Sequence, residues 1–271
     1  MPQDEYAISP AVRETYGPAD LSREPVFAGG FINFGHWHGI DLAEPLGEAE
    51  RIRSQENLYR RVLDAAELPK EARVLEVGCG LGMGCALTLR EYDPAAVTGV
   101  DIHPEQLRRA RERHTESAQL RFTQGAAEQL PFDKSEFDAV ISVEAAQHFP
   151  DLAAFATEAA RVLRPGGRVA VTSFFAADDT PERPAQLAEL LPTFADGLDL
   201  ARPATALAEA FAAAGLEGVG TVSIGDQVWP GWDTWLGRLW APDTWPRNFR
   251  KAWQRGILDY YLVTARQPDP S

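Results

Sequence analysis

Apolar and polar positions change period repeatedly along the chain. From about Leu46 to Leu68, the residues Ile52, Leu58, Val62, Leu63 and Ala66 recur at helical spacing, and Pro69 ends the run. Arg73 to Val77, RVLEV, then reads as a buried strand that runs into the turn GCGLGMG, with a helix to about Tyr92. A second strand is predicted over Val97 to Val100, ending at Asp101. Pro104 opens a helix to His114. Leu120 to Thr123 and Phe137 to Val143 are the third and fourth strands. Leu152 to Leu163 is a helix closed by Arg164-Pro165-Gly166-Gly167, and Arg168 to Phe174 is the fifth strand. This alternation predicts a parallel sheet covered by helices on both faces.

The last third has another pattern. Thr205 to Ala214 predicts a helix with Gly215 just past its end. Val219 to Ile224 and Tyr260 to Ala265 are strand-like, which suits an antiparallel edge added to the parallel sheet. Between them, around residues 226–256, lie six of the seven tryptophans: Trp229, Trp232, Trp235, Trp240, Trp245 and Trp253. The first three are spaced for one helix face, although Pro230 and Gly231 weaken that reading. Residues 1–50 are irregular and rich in Gly, Pro and aromatics, most densely in FAGGFINFGHW, Phe27 to Trp37.

Composition narrows the partners. The 271 residues carry a net charge of −14, so a phosphate backbone would be repelled and nucleic acid is not an expected partner. The arginines 108, 109, 111 and 113 read as a solvated helix face. No apolar run approaches the ~20 residues of a membrane span, and the acidic N-terminus does not read as a secretory signal. Cys79 and Cys85 share one glycine-rich segment and form no disulfide framework. A reduced, cytoplasmic protein, monomer or homodimer, is the expectation.

The glycine-rich turn decides the ligand class. Glycines after a strand let a ligand approach the backbone beyond the carboxyl ends of the strands. A dinucleotide fingerprint, G-x-G-x-x-G, would need a glycine at Met83 or Cys85, and both registers fail. A phosphate-binding loop would need a lysine, and none stands here. An acid, Glu76, precedes the glycines instead; it would repel a pyrophosphate and suit an ammonium group. A second acid, Asp101, ends the next strand, where a carboxylate can accept from a ribose diol. Its structural alternative is a cap for the helix at Pro104. The two acids point to a ligand with an amino-acid end and an unphosphorylated ribose.

The segment EVGCGLG resembles the first motif of class I S-adenosylmethionine-dependent methyltransferases. DIHPEQL, from Asp101, is similar to their ribose-binding segment, and GAAEQLPF, from Gly125, to their G-D-A-x-x-L-P-F. FDAVISVEAAQHFPD and RVLRPGGRVAV resemble the fourth strand with its active-site turn and the approach to the fifth. The resemblance covers about residues 50–175. It implies a Rossmann-like α/β fold with a seven-stranded, mostly parallel sheet, helices on both faces, and helical lid elements at both ends. In that organisation residues 1–50 form an N-terminal lid, and residues 51–271 the cofactor domain with a Trp-rich lid insertion around 226–256.

The resemblance also implies roles. Glu76, Gly78 and Gly80 would hold the methionine part of S-adenosylmethionine, later S-adenosylhomocysteine. Asp101 would take the ribose hydroxyls. Ile102, Gln106, Ala127 and Glu128 would surround the adenosine, and Glu144 would close the cofactor site. One departure stands out: Ala126 replaces the usual aspartate. FINFGHW is similar to a segment of small-molecule methyltransferases of bacterial natural-product pathways and of sterol and tocopherol C-methyltransferases.

Methyl transfer needs an aligned acceptor, removal of a proton, and exclusion of water. His148 is the candidate general base, because imidazole titrates near neutral pH. Glu144 is the second candidate, for a C-methylation in which a carboxylate steadies a carbocation or takes its proton. Phe31, Phe34, His36 and Trp37, facing Trp232 and Trp235, are expected to wall an apolar acceptor pocket. His36 and His38 lack a third ligand at readable spacing, so no metal is expected. The reading is methylation of a hydroxyl on a small, largely apolar secondary metabolite. A non-methylating S-adenosylmethionine-binding cyclase or partner subunit is the rival from another class.

Overall fold

The computed structural model describes residues 6–269. Helix α1 (Pro10–Tyr16) leads through a turn at Leu21–Arg23 to α2 (Glu48–Ala66). Then follow β1 (Arg73–Val77), α3 (Met83–Tyr92), β2 (Ala96–Asp101), α4 (Pro104–Arg113), β3 (Leu120–Gln124) and β4 (Phe137–Val143). A 3-10 turn at Ala146–His148 precedes α5 (Leu152–Val162) and β5 (Leu163–Ala176). The chain continues through α6 (Arg183–Leu190), α7 (Pro192–Ala195), α8 (Ala204–Ala213), β6 (Glu217–Ser223), α9 (Gly225–Leu236), α10 (Asn248–Gln254) and β7 (Leu258–Arg266).

The seven strands form one sheet in the order β3-β2-β1-β4-β5-β7-β6. Strands β1 to β5 pair in parallel, and β7 lies antiparallel between β5 and β6. The expected antiparallel edge is thus present. Each face buries its own core. One gathers α2, α3, α4, α9 and α10 with the aromatics of residues 26–46; the other gathers α5 and α8. Successive strand residues point to opposite faces. In β1, Val74 joins the first core while Leu75 and Val77 join the second.

Three local differences have physical causes. The irregular-looking N-terminus holds α1, whose Ser9 side chain accepts the Val12 amide and whose first turn starts with Pro10. Strand β5 begins at Leu163, not Arg168, because Leu163 pairs with Phe137 before the ladder shifts register at Ala139. Helix α9 tolerates Pro230 and places Trp229, Trp232 and Trp235 on its buried face. Gly231 is required there, since a Cβ would stand 2.0 Å from the indole of Trp37.

Candidate active site

The carboxyl ends of β1, β2 and β4 open into a cavity of about 500 Å³. Its floor is built from Gly78 to Leu81, Asp101, Ile102 and Glu144, and α1 with Phe31 and Ile32 covers the other side. Gly78 and Cys79 both donate their amides to the Val100 carbonyl, at 2.8 and 3.0 Å, which folds the glycine-rich turn over the end of β2. Gly78 has φ +77°, and a Cβ there would lie 2.3 Å from the Ala145 Cβ. Gly80 has φ +52° and open space where its Cβ would be. A backbone of this kind admits a ligand directly against its main chain.

Asp101 is held from both sides. One carboxylate oxygen accepts the Gly80 amide and the other the His103 amide, each at 2.8 Å. Burial pushes this carboxyl above its usual range, and the two amides pull it back. Ile102, Gln106, Ala127 and Glu128 line the same cavity. The Gln106 Oε1 is buried without a hydrogen-bond partner among the described residues. An oriented carboxylate and an unpaired amide oxygen, beside an open glycine turn, suit a ligand rich in hydroxyl and amino donors. Three carboxylates line the cavity (Asp101, Glu128 and Glu144), and no Lys or Arg does among the described residues. That wall favours a cation over a pyrophosphate. The residues present therefore fit S-adenosylmethionine.

Glu144 follows β4 in a left-handed conformation, φ +50°, which is uncommon for a residue with a side chain. Its Oε1 accepts the Phe34 amide at 2.6 Å and the Tyr260 hydroxyl at 2.7 Å. Burial lifts its carboxyl to about 7, against these donors and the Arg51 charge. His148 ends the 3-10 turn. Its Nδ1 lies 2.8 Å from the Leu198 carbonyl and 3.3 Å from an Asp199 carboxylate oxygen. Its Nε2 lies 2.9 Å from the Tyr16 hydroxyl and 3.1 Å from the Gln147 amide nitrogen. Tyr16 and Asp199 escaped the sequence reading. No motif surrounds either one, and only folding brings residues 132 positions apart together at Tyr16 and His148.

Glu76 is placed elsewhere. It shares a sheet face with Val74, so its carboxylate enters the core between α2 and α3 and is fully buried. There it accepts the Tyr59 hydroxyl at 2.9 Å and lies 3.0 Å from the Cys85 sulfur. It is not among the residues that line the cavity, and burial lifts its carboxyl to about 7.

The proposed aromatic pocket is filled by its own rings. Of its six named residues only Phe31 lines the cavity; Phe34, His36, Trp37, Trp232 and Trp235 do not. The Phe34 ring packs 4.6 Å from Trp232, 4.8 Å from Phe249 and 5.5 Å from Phe174. Trp235 donates its indole N–H to the Val26 carbonyl at 3.0 Å, and His36 pairs with Gln227. The buried Arg51 donates to the carbonyls of Val26, Asn33 and Phe34, which fixes the segment over α2. Five of the six residues expected to wall an acceptor pocket are therefore buried in the protein interior instead. Among the described residues, no group of three or more His, Cys, Asp or Glu is arranged to hold a metal. No helix there is long and apolar enough to cross a membrane.

Comparison with known proteins agrees with this geometry. Residues 75–171 match the family described as methyltransferase domain. A fatty-acid O-methyltransferase of Mycolicibacterium smegmatis is 39% identical over 160 residues, which is 59% of this chain and 58% of that protein. A phthiotriol/phenolphthiotriol dimycocerosates methyltransferase of Mycobacterium leprae is 40% identical over 141 residues, 52% of each chain. The chain thus spans little more than half the length of these relatives. Among solved structures, geranyl diphosphate C-methyltransferase from Streptomyces coelicolor superposes with a TM-score of 0.78 at 18% identity, over 97% of this chain and all of that one. Residues 75–171 thus carry the methyltransferase-domain match, and the chain is similar to class I S-adenosylmethionine-dependent methyltransferases. S-adenosylmethionine is the cofactor of that class.

Proposed function

We propose that the protein methylates a hydroxyl group on a small, lipid-like molecule, with His148 as general base. The observation that carries this reading is one shared cavity. The glycine-rich turn and Asp101 form one wall, and Glu144 and His148 reach it from the end of β4. When bound, the cofactor supplies the methyl group, the positive charge and the leaving group. The protein's tasks are then to position an acceptor, take its proton and keep water out. Ile8, Val12, Phe31 and Ile32 give the cavity an apolar side, which suits a lipid-like acceptor. The names of the two relatives, a fatty-acid and a phthiotriol-type methyltransferase, support that class of acceptor.

C-methylation of a prenyl or ring carbon is the second reading. It is favoured by Glu144, a carboxylate held by Phe34 and Tyr260 in the cavity wall. Product NMR separates the two through an O-methyl or a C-methyl carbon.

The first test is calorimetric titration with S-adenosylhomocysteine. Micromolar binding that Asp101→Ala abolishes supports the cofactor site. Release of S-adenosylhomocysteine over a panel of apolar alcohols and phenols then tests the acceptor. A folded protein that binds no S-adenosylhomocysteine overturns the reading, and binding without any methyl release points to a non-methylating role.

A further inference from the structure

We propose that Tyr16, His148 and Asp199 form a proton relay in which Tyr16, carried by the N-terminal helix α1, stands between the acceptor and the histidine. The proposal rests on the methyl-transfer reading above and names further residues for it.

The hydrogen bonds dictate the direction of the relay. The Leu198 carbonyl can only accept, and it lies 2.8 Å from His148 Nδ1, so that nitrogen carries the proton. Nε2 then holds the lone pair. That lone pair faces the Tyr16 hydroxyl at 2.9 Å, with the Gln147 amide as a second donor at 3.1 Å. The Gln147 amide also donates to the Glu144 carbonyl at 3.0 Å, which fixes its orientation. The basic nitrogen is therefore already hydrogen-bonded to Tyr16, and Tyr16 itself lines the cavity.

Both ends of the array are built in. The Tyr16 carbonyl accepts from Arg109 at 2.9 Å and from Gln106 at 3.3 Å, and Arg109 also holds the Gly17 carbonyl at 2.6 Å. Helix α4, which starts just after Asp101, thus clasps the end of α1. Asp199 is buried, and its carboxylate lies 3.3 Å from His148 Nδ1. Its amide donates to the Thr193 carbonyl at 2.9 Å, and the next amide, Leu200, donates to the Gln147 carbonyl at 3.0 Å. A buried carboxylate at Nδ1 stabilises the imidazolium that forms when Nε2 takes a proton.

The step balances as follows. As the acceptor oxygen bonds to the methyl carbon, the bond from that carbon to the sulfonium breaks. The acceptor's proton passes to the Tyr16 oxygen while the Tyr16 proton passes to His148 Nε2. Asp199 holds the resulting charge until the imidazolium returns its proton to solvent. Tyr16 is the catalytic residue that touches the acceptor, and Asp199 is a positioning residue that acts through His148.

Two full-chain variants test the relay: Tyr16→Phe and Asp199→Asn. Calorimetry with S-adenosylhomocysteine establishes that each is folded and binds. Nitrogen-15 NMR of the ring, with His148→Gln identifying the signal, reports the hydrogen bond without any turnover. Tyr16→Phe should move the Nε2 resonance downfield as its donor is lost. With a hydroxyl acceptor, Tyr16→Phe should lower kcat by about 10- to 100-fold and Asp199→Asn by about tenfold, with acceptor KM little changed. The solvent isotope effect on kcat should also fall in Tyr16→Phe, since one of two moving protons is removed. An unmoved Nε2 resonance, or a Tyr16→Phe enzyme with wild-type kcat and isotope effect, overturns the relay. Failure of the methyl-transfer reading looks different: the wild type releases no S-adenosylhomocysteine from any hydroxyl acceptor, while the Nε2 resonance still moves.

Discussion

The Glu144 carboxylate accepts the backbone amide of Phe34 at 2.6 Å, which ties the N-terminal segment to the end of β4. The contact buries an acid whose carboxyl is lifted to about 7. A raised carboxyl binds protons more tightly in the folded chain than in the unfolded one. Its stabilising contribution is therefore full below about pH 4.5 and is lost as pH rises through about 7. The shift corresponds to roughly 3 kcal/mol. Glu144→Gln keeps an acceptor for Phe34 and Tyr260 but cannot ionise. Urea titrations of the variant and wild type should diverge at pH 8, with the variant more stable by about 1–3 kcal/mol, and converge near pH 5. A difference independent of pH would show that Glu144 does not titrate in this window.

Arg51 holds the same segment from the other side. Its guanidinium reaches three backbone carbonyls and lies 5.1 Å from the Trp232 ring centroid and 5.7 Å from that of Trp37. Burial lowers its pKa to about 9, and the Glu144 charge opposes that shift. Truncation would leave three buried carbonyls without this donor. Arg51→Ala should cost about 3–5 kcal/mol in chemical denaturation and expose residues 26–37 to proteolysis. A loss below 1 kcal/mol would mean that the segment is held by its aromatic rings alone.

The sequence-to-structure match was uneven for physical reasons. The strands from Arg73 to Phe174 were legible because strands of a doubly covered sheet are continuous apolar runs between glycine and proline turns. Asp101 was legible because it ends such a run, directly beside the glycine-rich turn in space. Glu76 sits in the same motif, but the period of two that buries Val74 under α2 also turns the Glu76 carboxylate toward Tyr59 and Cys85. Spacing along a strand could have shown that. Tyr16 and Asp199 could not be read, because what makes them candidates is their meeting at His148. The tryptophans were legible as one helix face, but not as a filled core, because sequence cannot tell an aromatic wall from aromatic packing.

That difference gives a prediction. Trp232 is buried, packs against Phe34 and Phe27, and donates its indole N–H to the Pro246 carbonyl at 3.3 Å. Trp232→Ala should cost about 3–5 kcal/mol of stability. S-adenosylhomocysteine affinity of the folded fraction should change by less than about 0.5 kcal/mol, the scale at which distant sites are independent. Unchanged stability with lost acceptor binding would restore the tryptophan to the acceptor pocket.

Gly78 packs the glycine-rich turn against Ala145, the residue that follows Glu144. Its φ of +77° is a conformation that residues with a Cβ seldom adopt, and a Cβ would meet the Ala145 Cβ at 2.3 Å. Both penalties act on one bond, and Ala145 cannot retreat without moving Glu144 beside it. Gly78→Ala should therefore cost about 1–3 kcal/mol of stability from strain and overpacking. It should also weaken S-adenosylhomocysteine binding, because the shifted turn carries Gly80, whose amide orients Asp101 at 2.8 Å. Gly80→Ala supplies the contrast: its Cβ meets nothing within 4 Å, so its effect should come from the φ of +52° and from intrusion into the cavity. Thermal melts with and without S-adenosylhomocysteine distinguish the two. In Gly78→Ala the unliganded Tm should fall by several degrees, whereas in Gly80→Ala the main loss should be the upward shift that the ligand gives the wild type. Equal unliganded Tm values for Gly78→Ala and the wild type would show that the turn and the Ala145 backbone yield freely.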